Sequence, residues 1–121
     1  MHELSLCRAI ASVVERARAD RPVTTVHLQV GQLRQVVPET LCYCWTLVTD
    51  AGPLAGSVLE IDQVRVVLRC RACLERTTVG HALVLVCGSC GSGDVAVVCG
   101  EELLVTSIDL GPRIDLPEPH P

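Results

Sequence analysis

An α+β fold is what this sequence predicts: two helices packed on one face of a three-stranded sheet, with a cysteine-bearing lobe inserted between two of the strands. Three observations predict it. Apolar residues recur at helical spacing near the start and again after Pro38. They alternate in strand fashion in three other stretches. Four cysteines fall in two close pairs ahead of the last of those stretches.

Composition limits the alternatives. At 121 residues the chain has room for one domain carrying a smaller insert. Hydrophobic residues make up 49% of it but aromatics only 2%, so the core must be built from Val, Leu, Ile and Ala around little more than Tyr43 and Trp45. A net charge of −4 argues against nucleic acid, whose binding needs a basic surface to displace counterions. No apolar run approaches the roughly 18 residues that span a bilayer. Glu3, Arg8, Glu15, Arg16 and Arg18 break up the start of the chain, so no signal peptide and no membrane partner are expected. The expected compartment is the reducing cytoplasm, where eight cysteines read as metal ligands or buried thiols rather than as a disulfide framework.

The elements follow in order. Leu6, Ala9, Ile10, Val13, Val14 and Ala17 repeat at i, i+3, i+4, i+7, i+8 and i+11, the stripe of an amphipathic helix that stops before Pro22. "VTTVHLQVG" alternates, with Val26, Leu28 and Val30 on one face and Thr25, His27 and Gln29 on the other. "PETLCYCWTLVTD" is a second helix, with Pro38 in its first turn and Leu41, Cys44, Trp45 and Val48 on one face. "GPLAG" breaks it, and "SVLEIDQVRVVLRC" reads as one long strand with Val64, Val66 and Leu68 alternating. Short apolar runs between cysteines and glycines fill 70–99, and "EELLVTSIDL" restores strand alternation. The division expected is an α+β domain over 1–68 and 100–116, a cysteine lobe over 69–99, and a proline-punctuated flexible tail over 117–121.

Cys70-Arg-Ala-Cys73 and Cys87-Gly-Ser-Cys90 are two C-x-x-C turns, 13 residues apart. Each turn points both sulfurs into one concavity, and two turns make a tetrahedral four-sulfur shell that selects zinc, with iron the lesser fit. Gly91, free to adopt positive φ, is expected to let the backbone fold over the sulfurs and donate N–H bonds to them. A lobe of about thirty residues buries too little to fold alone, so metal binding supplies its folding free energy. It is a zinc-ribbon-like lobe, and with four thiolates bound its zinc has no open position from which to activate water. Cys7, Cys42, Cys44 and Cys99 lack such a partner and read as packed thiols.

The opening "MHELSLC" raises a second possibility for a metal. The amine of Met1, the amides of His2 and Glu3 and the imidazole of His2 offer four nitrogens near a plane, a geometry of Ni(II) and Cu(II). The first N–H groups of a helix have no intrahelical acceptor, so losing their protons to a metal breaks no helical bond. Met1 is expected to be retained, because a residue as bulky as His2 blocks its removal. Glu3 would orient the imidazole or face a partner through its side chain. By itself, a histidine at position two is an ordinary solvated group.

Taken together, "MHELSLC", "VHLQVGQLRQVVPETL", the paired C-x-x-C turns and "CGEELLVTSIDL" resemble the HypA/HybF family over roughly residues 1–110. These are nickel-insertion accessory proteins of [NiFe]-hydrogenase maturation. The resemblance implies a nickel site at Met1, His2 and Glu3 and a structural zinc on Cys70, Cys73, Cys87 and Cys90. It implies delivery of Ni(II) to a [NiFe]-hydrogenase large-subunit precursor together with a GTPase of the HypB type, and in some relatives service to urease maturation proteins. Two departures stand out. The second turn lacks the proline frequent there in the family, and no histidine flanks any of the four cysteines, so a pH-driven exchange of zinc ligands has little basis here.

The remaining residues fit a carrier rather than an enzyme. His27 reads as solvated or hydrogen-bonded, His81 as surface, and His120 as part of the tail. Glu101 and Glu102 have no catalytic spacing with another carboxylate, and neither a nucleophile–base pair nor a phosphate-binding glycine loop is present. GTP hydrolysis therefore belongs to a partner. The leading rival is a zinc-ribbon interaction module contacting nucleic acid or a polymerase, which the acidic balance and scarce aromatics disfavour. A zinc hydrolase is more distant, since every clear zinc ligand is already used.

Overall fold

Glu3–Ala17 form the first helix, α1, which ends before Pro22 as its spacing predicts. The computed structural model describes residues 3–112; Met1, His2 and the expected tail lie outside the described residues. The face α1 buries differs from the predicted stripe. Leu6, Cys7, Ile10 and Val14 are buried, whereas Val13 is 44% exposed and Ala9 and Ala17 face solvent. Cys7, expected to flank the stripe, lies within the core because the second helix approaches from its side: the Cys7 thiol donates to the Leu41 carbonyl at 3.4 Å.

Strand β1, Val23–Gly31, buries Val26, Leu28 and Val30 as the alternation predicts, and Val23 with them. A single 3-10 turn over Gln32–Arg34, not foreseen, leads to α2, Pro38–Val48. Pro38 sits where a missing N–H costs nothing. Leu41 and Trp45 carry the buried face of α2, with Cys44 and Val48 half-buried beside them. At the helix end the Thr49 hydroxyl donates to the Trp45 carbonyl at 2.7 Å. The Trp45 indole N–H donates to the Ser57 hydroxyl at 3.0 Å, which in turn donates to the Leu54 carbonyl at 2.6 Å, so the one tryptophan is buried without an orphaned donor.

The single long strand expected after "GPLAG" is two. Val58–Val64 form β2 and Val67–Cys70 form β3, in different sheets. The break falls at Arg65 and Val66. The Val66 N–H leaves strand pairing and donates to Gln32 Oε1 at 3.0 Å, while the Gln32 amide nitrogen donates to the Gly80 carbonyl at 2.6 Å. The cysteine-bearing segment likewise holds more structure than short apolar runs. Arg76–Thr78 (β4) and Val95–Cys99 (β5) flank β3 in an antiparallel sheet of order β4-β3-β5. The closing strand, Leu103–Leu110 (β6), completes the other sheet in the order β2-β1-β6.

The described residues up to Leu28, Val37–Glu60 and those from Val105 onward form one compact unit; Gln29–Val36 and Ile61–Leu104 form the other. The first has a core of Leu6, Cys7, Ile10, Val14, Val26, Leu28, Leu41, Trp45 and Leu59. The second has only Val66, Leu68 and Val79 at its centre, with Leu33, Leu83 and Val95 packed against them. Backbones approach closely at Gly31, where an added Cβ would stand 2.1 Å from the Gly100 carbonyl oxygen, and at Gly100 itself, at φ 113, where it would stand 2.6 Å from the Val66 Cα. Among the described residues, no helix is long and apolar enough to cross a membrane.

Candidate metal centre

Two turns of the same construction build the site. Cys70 ends β3, and its N–H donates to the Glu75 carbonyl at 2.9 Å while its carbonyl accepts from the Leu74 N–H at 3.0 Å. Cys87 repeats the pattern, donating to the Ser92 carbonyl at 2.9 Å and accepting from the Gly91 N–H at 2.9 Å. Closing each turn takes one residue in the left-handed region, Leu74 at φ 67 and Gly91 at φ 75. Gly91 takes the positive φ expected of it, and the backbone of its turn donates N–H bonds to sulfur. The N–H group of Cys73 lies 3.4 Å from Cys70 Sγ, and those of Ser89 and Cys90 each lie 3.4 Å from Cys87 Sγ.

The four sulfurs of Cys70, Cys73, Cys87 and Cys90 all lie within 4.8 Å of one another. Cys70 and Cys90 are 3.6 Å apart and Cys73 and Cys87 3.5 Å. A Zn–S bond of about 2.3 Å sets the edge of a regular tetrahedron at about 3.8 Å. The donor set and its spacing therefore fit zinc. Among the described residues this is the one group of three or more metal-ligating side chains, and it contains sulfur alone.

The electrostatics favour a cation at its centre. N–H bonds from Cys90 and Ser89 pull the Cys87 thiol down to about 6, and the Cys73 N–H lowers Cys70. Cys73 and Cys90 receive N–H bonds from Glu75 and Ser92 that pull the same way, yet the neighbouring sulfurs outweigh them, and Cys73 is pushed up to about 12. Four thiolates repel one another unless a metal lies between them, so metal uptake releases protons. Cys70 and Cys87 are buried and Cys73 and Cys90 exposed. A full sulfur shell leaves no position for substrate or water.

The other predicted ligands are placed as follows. Met1 and His2 lie outside the described residues; Glu3 is the first residue of α1 and is half-buried. Cys7 is fully buried, and its thiol is pushed up to about 11 by burial, then by the nearby Cys44, Cys42 and Glu3. Cys42, Cys44 and Cys99 are half-buried; the Cys42 and Cys99 thiols point at the Leu59 and Arg65 carbonyls. His27 is hydrogen-bonded, between Asp109 at 3.0 Å and Glu60 at 3.4 Å. Its acidic partners have no signal in the sequence beyond polar positions on neighbouring strands. His81 is exposed, and His120 is outside the described residues.

A family model described as hydrogenase/urease nickel incorporation, metallochaperone, hypA matches residues 1–110. The chain is 34% identical to the hydrogenase maturation factor HypA of Desulfatibacillum aliphaticivorans, over 91% of this chain and 87% of that one. It is 35% identical to the factor of the same name in Acidithiobacillus ferrooxidans, over 91% and 99%. Its fold resembles the solution structure of the Ni metallochaperone HypA from Helicobacter pylori, with a TM-score of 0.63 at 18% identity, covering 91% of this chain and 97% of that one.

Proposed function

The chain belongs to the HypA family of nickel metallochaperones, and on that premise we propose that it captures Ni(II) at Met1, His2 and Glu3 and hands it to a [NiFe]-hydrogenase large-subunit precursor in concert with a GTPase of the HypB type. Residues 1–68 and 100–116 serve as the nickel domain and 69–99 as the zinc lobe. Cys70, Cys73, Cys87 and Cys90 hold the zinc, which supplies folding free energy to the lobe. The protein works in the cytoplasm as a carrier, and nucleotide hydrolysis is the partner's. The same transfer can serve urease maturation, which the family description also names.

The family match carries this reading, because it begins at residue 1 and so takes in Met1, His2 and Glu3 as well as the four cysteines. Local chemistry supports it. With α1 starting at Glu3, the Glu3 amide belongs to the first turn and has no intrahelical acceptor, so it can lose its proton to nickel without breaking the helix. A site at a chain end also permits release, since an incoming ligand can displace the amine or imidazole while the core stays folded. Docking through α1 and the zinc lobe would bring the terminus to the recipient.

The test is a nickel titration of protein whose first residue has been verified by mass spectrometry. His2→Ala should abolish nickel binding while leaving zinc content and circular dichroism unchanged, and an extra residue ahead of Met1 should weaken binding sharply. Unaltered nickel affinity in His2→Ala would refute the assignment.

A further inference from the structure

Strand register pairs two arginines on the cysteine lobe. Arg69 of β3 stands directly opposite Arg76 of β4, and both are exposed. Like charges directly opposite one another destabilise a sheet. Neither guanidinium makes an ion pair or side-chain hydrogen bond among the described residues, although Arg71, just past the end of β3, finds Asp94 at 2.9 Å. Glu75, the acid next to Arg76 in sequence, pairs with neither.

The turn joining these strands carries a second anomaly. Leu74 is 64% exposed and sits at φ 67, a conformation that costs an aliphatic residue on the order of 1 kcal/mol. The equivalent place in the other turn is taken by Gly91. One hairpin thus holds two unneutralised cations and a leucine kept outward against its backbone preference.

We propose that this hairpin, Arg69 and Arg76 with Leu74 at its turn, is a docking site for an acidic segment of a protein partner that presents paired carboxylates beside an aliphatic side chain. A guanidinium forks onto a carboxylate in a planar, two-bonded pair. A diacidic segment therefore relieves the repulsion between the two arginines as it binds. Phosphates could also meet the arginines, but the surroundings favour a peptide. Tyr43 and Trp45, the chain's aromatics, lie in the other unit, so the unit that carries the arginines offers no aromatic platform for stacking bases. Nickel plays no part in this site.

The experiment uses the full zinc-loaded chain and a dye-labelled peptide of alternating leucine and glutamate, with a leucine–glutamine peptide and a single-stranded oligonucleotide as comparisons. The acidic peptide should bind, shift the backbone amide signals of β3 and β4, and weaken with added salt. Arg69→Gln and Arg76→Gln should each weaken it about threefold and together about tenfold. Arg76→Gln should keep or raise the melting temperature, which an arginine with a purely structural role would not do. Leu74→Gly should lower peptide affinity while raising thermal stability. No binding of the acidic peptide, equal binding of the glutamine peptide, tighter binding of the oligonucleotide, or an unchanged double variant would each overturn the proposal.

Discussion

His27 Nε2 lies 3.0 Å from Asp109 Oδ2, joining the first strand of the chain to the last by a bond between residues 82 positions apart. The other ring nitrogen is 3.4 Å from Glu60 Oε2 on β2, so one imidazole touches all three strands of its sheet. With a carboxylate at each nitrogen, the doubly protonated ring satisfies both contacts and the neutral ring only one.

A pH dependence follows. The hydrogen bond to Asp109, with the charges of Asp109 and Glu60, raises His27 above its usual 6.5. A group raised on folding contributes stability that is fully present below 6.5 and is lost as pH rises through the folded value. The melting temperature of the wild type should therefore fall across that interval by more than that of His27→Gln. Parallel curves for the two proteins would show that the imidazolium contributes nothing.

Removing zinc should unfold one unit and spare the other. Val66, Leu68 and Val79 are too few to hold the β4-β3-β5 sheet without the sulfur cross-link, whereas the helices pack on a core of their own. Chelation, or Cys87→Ser, should strip hydrogen-exchange protection from β3, β4 and β5 while helical circular dichroism and Trp45 fluorescence persist. Protected β3 amides in metal-free protein would contradict this.

The two turns of the metal centre differ in their left-handed residue, and the difference is measurable. Leu74→Gly should raise the stability of the lobe by about 0.5–1 kcal/mol, the relief of backbone strain less the added freedom of glycine when unfolded. Gly91→Ala should lower it by about 1 kcal/mol. Denaturant titration of zinc-loaded protein reads both signs.

Gly100 offers a steric test. Alanine there meets the Val66 Cα at 2.6 Å at a φ of 113 and should cost about 2–4 kcal/mol. Gly56, at φ 82 with nothing within 4 Å of its added Cβ, is the control, and its alanine variant should cost about 1 kcal/mol. Equal losses would mean that backbone conformation, not the contact with Val66, sets the cost.

Local signals were enough for much of the molecule. Periods of 3.6 and 2 are written in neighbouring residues, so α1, β1, α2 and β6 could be read directly, and the C-x-x-C spacing named all four sulfurs that converge. What was not legible depends on atoms distant in sequence. Which flank of α1 is buried was decided by α2 at Leu41, 34 residues from Cys7, and the break between β2 and β3 by the Gln32 side chain, 34 residues from Val66. The N–H donors that hold Cys70 and Cys87 low come from turn geometry, and the facing of Arg69 and Arg76 from strand register. Periodicity records that a face is apolar, but burial is settled only by whatever packs against it. The residues along the chain specify α1, β1, α2, β6 and the four converging cysteines; which faces are buried, where strands break and which side chains meet are set by tertiary contact.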